Sequence, residues 1–187
     1  CGARARPAFR APQPEIAPDL DMRPGEPARS TLEQWIRVCR SCGAAAPDLA
    51  RLSEREADIV RGAAYAATPV MGPDAALPFL RYAAICRETS NRAAEAEALL
   101  QAAWIADDAD DAARALRRRV AALWATAPDL ETGLRRLDVL RRGGELEEAA
   151  AWAAELAGRE MDETSGRILA FQRARIAAGD TGRHLIS

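Results

Sequence analysis

The chain has 187 residues, 49% hydrophobic and 29% charged, with a formal net charge of -2, the profile of an ordinary globular protein with one large domain or two small ones. All 26 basic residues are Arg, 44 residues are Ala, and there is 1 His. The lack of Lys excludes a P-loop and a pyridoxal phosphate Schiff base, and a single imidazole excludes a His-rich catalytic zinc site. Interspersed charges of both signs argue against a surface built wholly for nucleic acid or an anionic membrane. The longest charge-free run, Gly62 to Pro73, falls short of the roughly 20 residues that cross a bilayer, so no transmembrane segment is expected.

Two parts are expected, residues 1–46 and residues 47–187. The first holds six of the 11 Pro, at or before Pro27, which bars a long helix before Ser30. Asp19 and Asp21, lying between prolines, read as turn formers. The run Leu32 to Val38 has no decisive period and is assigned to a strand leading into Cys39.

Cys39-Arg40-Ser41-Cys42-Gly43 has the form of a zinc knuckle, in which two thiolates converge on one ion and the Gly takes the conformation a tight turn requires. Cys1-Gly2 reads as the tail of a second such knuckle whose other Cys would stand three positions upstream. Cys1, Cys39 and Cys42 are therefore the expected metal ligands, with the fourth outside the sequence. Two knuckles separated by a Pro-rich stretch and a strand make a zinc ribbon, and zinc is expected as a structural cofactor in a reducing, cytoplasmic setting. A redox role is disfavoured, because no alternation of strands and helices surrounds the motif.

Residues 47–187 read as a succession of amphipathic helices. Ser53 and Glu56 form a capping box that opens a helix to about Ala67, ended by Pro69, Gly72 and Pro73. Phe79, Tyr82, Ala83 and Cys86 mark the next helix, and after a break at Ser90-Asn91 the stripe continues through Ala96, Leu99, Leu100, Ala103 and Trp104. Further stripes are Ala113, Leu116, Val120, Leu123, Trp124 and Ala127, then Leu130, Leu134, Leu137 and Leu140, stopped at Gly143-Gly144. Leu146, Ala149, Ala150, Ala153 and Leu156 form another, and a weaker one runs from about Glu163 to Ala178. Cys86 on an apolar stripe is expected to be a core thiol. Arg117-Arg118-Arg119 is expected to fan around a solvated face, with Asp110 able to pair with Arg114 at i+4, and the lone His184 to be structural or exposed.

Helices of this length joined by short turns suggest antiparallel helical hairpins. Gly144-Glu145-Leu146-Glu147-Glu148-Ala149, followed by Trp152, Ala153 and Leu156, resembles the second half of a tetratricopeptide repeat. The expected fold is mainly α, a tetratricopeptide-like array preceded by the ribbon. The expected function is a non-enzymatic module that recognises a protein or peptide. Two alternatives stay open. In one, Cys1 is the lipidated residue of a periplasmic lipoprotein. In the other, the ribbon contacts nucleic acid through Arg4, Arg6, Arg10, Arg37 and Arg40, with Phe9 and Trp35 to stack on bases.

Cys1-Gly2, Phe9, Asp19-Leu20-Asp21, Cys39-x-x-Cys42-Gly43, Phe79-Leu80-Arg81-Tyr82-Ala83 and Leu99-Leu100-Gln101-Ala102-Ala103-Trp104 together resemble a bacterial family known as domain of unknown function number 2225. In that family paired Cys-x-x-Cys motifs bracket an Asp-rich segment and precede tetratricopeptide-like helices. The resemblance implies the same arrangement here and brings no assigned activity with it.

Overall fold

The structure, a computed structural model, describes residues 17–107, 110–126 and 129–186. It is mainly helical. The Cys-bearing hairpin consists of strands β1 (Arg37–Val38) and β2 (Ala45–Ala46), paired antiparallel with Arg37 opposite Ala46 and Val38 opposite Ala45. Only the last two residues of the Leu32–Val38 run are strand. Arg29–Gln34 forms a 3-10 helix instead, because a turn that repeats every three residues drives Leu32 into the core. The turn is pinned by Thr31, which accepts the Trp35 ring N–H at 2.9 Å and donates to the Ala28 carbonyl at 2.7 Å.

Helix α1 (Glu54–Arg61) opens on the expected capping box, with the Ser53 hydroxyl accepting from the Glu56 N–H and the Glu56 carboxylate accepting from the Ser53 N–H at 2.7 Å. It does not run on to Ala67. Gly62 turns extended, with ψ 148°, and a separate short helix α2 (Ala63–Ala66) follows. The break redirects Tyr65 inward, so that its hydroxyl accepts from Ala45 N–H at 2.9 Å and donates to the Gly43 carbonyl at 3.0 Å.

Six longer helices follow: α3 (Leu77–Glu88), α4 (Arg92–Ile105), α5 (Asp110–Leu123), α6 (Leu130–Gly143), α7 (Leu146–Ala157) and α8 (Glu163–Ala177). Each packs on its neighbour in sequence, and α6 also touches α8. The starts of α4, α6 and α8 are capped by side chains, Asn91 on Ala94 N–H, Asp129 on Thr132 N–H and Asp162 on Ser165 N–H. Helix α6 stops at Gly144 as expected. Helix α4 is buried nearly all round, with Ala96, Ala98, Ala102 and Ala103 letting α3, α5 and the 3-10 helix approach it while Leu99, Leu100 and Trp104 fill the remaining space. Ala150, expected on the buried stripe of α7, is exposed, and Trp152 takes the inward place.

Leu32, Ile36 and Ala45 share one apolar core with the helices, and β2 lies against α3. The two ends of the described chain are clipped together. Leu20 N–H donates to the His184 carbonyl at 3.1 Å and Ile186 N–H to the Pro18 carbonyl at 2.9 Å. No helix among the described residues is long and apolar enough to cross a membrane.

Helices α6 and α7 meet at Gly133, whose carbonyl accepts the Trp152 indole N–H at 2.8 Å. A Cβ at this position would stand 2.9 Å from Leu156 Cδ2, so only hydrogen fits without a shift. Gly133→Val is expected to cost about 1–3 kcal/mol through overpacking. A denaturant melt followed by circular dichroism checks it; a midpoint equal to wild type would mean that the helices tolerate a wider spacing.

Candidate functional site

The Cys39–Gly43 turn closes the β1–β2 hairpin. Cys39 N–H donates to the Ala44 carbonyl at 2.8 Å and Gly43 N–H to the Cys39 carbonyl at 2.8 Å. Gly43 has φ +72°, the left-handed conformation that side chains disfavour, which is why the residue after the second Cys is Gly. Cys39 is buried and Cys42 is exposed. The N–H groups of Cys42 and Ser41 point at the Cys39 sulfur, and the Cys42 thiol hydrogen-bonds to it as well. These contacts hold the Cys39 thiol below its ordinary range. Donors aimed at sulfur favour thiolate, the form that binds metal.

Cys39 and Cys42 are thus brought together, while Cys1 lies outside the described residues. Among the described residues no group of three or more His, Cys, Asp or Glu side chains is arranged to hold a metal ion. The donor chemistry of the hairpin, two thiols with one depressed by backbone N–H groups, fits half of a tetrahedral zinc site. Of the residues marked for nucleic-acid contact, Arg37 and Arg40 are exposed and Trp35 is half-buried against Thr31; Arg4, Arg6, Phe9 and Arg10 lie outside the described residues.

Cys86 is a core thiol, 3% exposed, and burial pushes it up to about 11. Its neighbour Tyr82 is pushed up to about 12, also mainly by burial. His184 is structural: its Nε2 lies 2.8 Å from Asp180 Oδ2, and its ring meets Phe171 edge-on at 5.3 Å.

The least anticipated feature is ionic. Asp19 and Asp21 do shape a turn, with Met22 N–H donating to the Asp19 carbonyl at 2.8 Å, yet both side chains are completely buried. Asp21 Oδ2 accepts from Arg117 at 3.1 Å and from Arg142 at 3.0 Å. The same two guanidinium groups reach Asp107 Oδ1, at 2.8 Å and 3.0 Å, which closes a ring of alternating charges. Arg23 joins from outside at 2.6 Å to Asp107 Oδ2. Asp19 accepts from Arg183 Nε at 2.9 and 2.8 Å, and Arg29 stands 3.6 Å away. One helical turn along α6, Asp138 pairs with Arg141 at 2.5 Å, and Arg141 also donates to the carbonyls of Asp180 and Gly182.

The Arg117–Arg119 run is therefore not a uniform solvated face. Arg118 is exposed, but Arg117 is only 2% exposed, because it falls one residue past Leu116 on the inward side of α5. The local pattern held a signal, an Arg at i+4 from the buried Ala113. Its partner Asp21 stands 96 residues away, beyond the reach of any local pattern.

Burial alone would raise the Asp21 carboxyl, but Arg142 and Arg117 outweigh it and hold the group below the usual carboxylate range. Asp138 goes the other way, pushed up to about 6 by burial and then by the charge of Asp21, against Arg141 and Arg142. The stability that Asp21 contributes is full above the ordinary value of 3.8 and is lost as pH falls through its lowered folded value. Asp138 has the opposite sign, its ionisation weakening the fold as pH rises from 3.8 towards about 6. Asp21→Asn leaves two guanidiniums facing a neutral amide and is expected to cost about 3–5 kcal/mol in chemical denaturation. The variant should also lack the acid-side loss of stability assigned to Asp21; an unchanged profile below pH 4 would remove Asp21 as its source.

Compared with known proteins, the chain matches no family model, no curated protein and no solved structure.

Proposed function

We propose that the chain is a non-enzymatic protein-interaction module in which a structural zinc ribbon is built onto a tetratricopeptide-like helical array. The observation that carries the reading is the Cys39–Cys42 turn, where backbone N–H groups converge on a sulfur beside a second thiol at a Gly-closed hairpin. Cys39 and Cys42 would hold the ion together with Cys1 and a fourth ligand. Zinc binding would then be folding free energy, about 10–16 kcal/mol for structural sites. Tyr65 links the hairpin to the helical array through Gly43 and Ala45, so closing the ribbon would brace the array.

Membership of the family of domain of unknown function number 2225 belongs to the same proposal. It is supported by the knuckle and by Asp19 and Asp21, which stand within the resemblance, Asp21 tying the N-terminal segment to α5 and α6 and Asp19 tying it to Arg183. Tetratricopeptide-like stacking is supported by the tight α6–α7 packing at Gly133 and Trp152 and by the contact of α6 with α8. The non-enzymatic element is supported by the engagement of the chemistry-bearing side chains: Cys86 is buried and protonated, and His184 is tied to Asp180. A protein or peptide partner suits an array that presents several helices along one surface. A cytoplasmic setting suits thiols that must stay reduced to bind zinc.

Elemental analysis of the full-length protein is expected to find about one zinc per chain, lost in the combined Cys39→Ser and Cys42→Ser variant. Zinc absent from the wild type, or retained by the variant, would overturn the ribbon. Partner recognition is tested separately, by rebuilding a stoichiometric complex from purified full-length protein and a cross-linked candidate. Failure of every such candidate to reassemble would count against the interaction role.

A further inference from the structure

On one side of the ionic ring lies a polar cleft of about 370 Å³, near the small end of the ~300–1,000 Å³ usual for ligand sites. Its wall carries five arginines, Arg23, Arg114, Arg117, Arg142 and Arg183, and one carboxylate, Asp107. Asp21 within the ring and Asp19 on Arg183 are the other acidic partners of these groups among the described residues. Among the described residues, five guanidiniums against these three carboxylates leave two positive charges over, Asp138 near Arg142 being offset by its own partner Arg141.

The donors are also underused. Arg114 lines the cleft half-buried and makes no hydrogen bond or ion pair among the described residues. The Nε groups of Arg117 and Arg23 are buried with no partner, although Arg117 is only 2% exposed. Arg183 holds Asp19 through Nε alone, which leaves its two terminal nitrogens for another acceptor. Buried N–H donors are normally satisfied, and a planar guanidinium fork matches the oxygens of a phosphoryl group. We propose that this cleft binds the dianionic phosphoryl group of a small molecule, with Arg114 and Arg183 contacting the oxygens and Arg117 and Arg142 held as a rigid floor by Asp21 and Asp107.

Two excess charges favour a dianion over a monocarboxylate. Concavity and partial burial protect the contacts from the screening that weakens surface pairs. Arg114 is the residue to test, because no hydrogen bond or ion pair ties it to the fold among the described residues and its removal should leave the ring intact.

Isothermal titration calorimetry on the full-length protein, at constant ionic strength set with chloride, would use inorganic phosphate, a sugar monophosphate, a nucleoside monophosphate and citrate. Saturable binding of a phosphate is expected. Arg114→Ala should weaken it by about tenfold or more, the loss of one charge-assisted contact, with the melting curve of the free protein unchanged. Arg114→Lys should fall between the two. If inorganic phosphate binds as tightly as the monoesters, the free ion is the ligand; if a monoester binds tighter, the remainder of the cleft seats its organic body. No saturable binding of any phosphate, citrate binding tighter than every phosphate, or an Arg114→Ala affinity equal to wild type would overturn the proposal.

Discussion

Two carboxylates and two guanidiniums, those of Asp21, Arg117, Asp107 and Arg142, alternate around a closed ring of ion pairs, and the arrangement of the chain around it depends on that closure. Asp21 comes from the N-terminal segment, Asp107 from just beyond the end of α4, Arg117 from α5 and Arg142 from the end of α6. A guanidinium carried into the interior without a carboxylate costs several kcal/mol, so a packing that separates these elements leaves a charge uncompensated. The ring is less a source of net stability than a penalty against every other register. Its neighbours extend the same logic. Arg183 on Asp19 and Arg141 on the Asp180 and Gly182 carbonyls fasten the C-terminal residues beside the segment that supplies Asp21.

The exclusive use of Arg fits this design. Arg142 reaches two different carboxylates through two different nitrogens, as does Arg117, whereas an ammonium group lacks the planar fork that spans both. Other arginines lie over indole rings, Arg136 at 4.5 Å from Trp152 and Arg135 at 4.8 Å from Trp124, where a flat cation packs as an apolar surface and still reaches Glu148 or Glu97. Abundant Ala has the complementary role. It lets helices come close enough for these long side chains to cross between them.

Much of the helical region was legible along the chain. The stripes through Phe79, Ala83 and Cys86 and through Leu99, Leu100 and Trp104 are buried, the Ser53 capping box is formed, and Gly143-Gly144 ends α6. The errors share a cause. The break at Gly62 and the 3-10 turn at Arg29–Gln34 are decided by where Tyr65 and Leu32 must go, and local propensity does not contain that information. Ala150 lies outside the buried face of α7 because that face is set by the large indole of Trp152 against Gly133.

At the candidate site the division is sharper. The spacing Cys-x-x-Cys-Gly determined, without reference to the rest of the chain, that Cys39 and Cys42 would share a turn and that Gly43 would take a left-handed conformation, since both follow from a few adjacent torsion angles. Helix boundaries and apolar faces are local in the same sense. The partners of the buried charges were decided only by tertiary structure. Asp21 finds Arg142 across 121 residues, a pairing that exists because several helices have already packed and excluded water between them. Low dielectric then turns an unremarkable Asp between prolines into the anchor of the fold, and turns an Arg that reads as solvated into one that cannot leave.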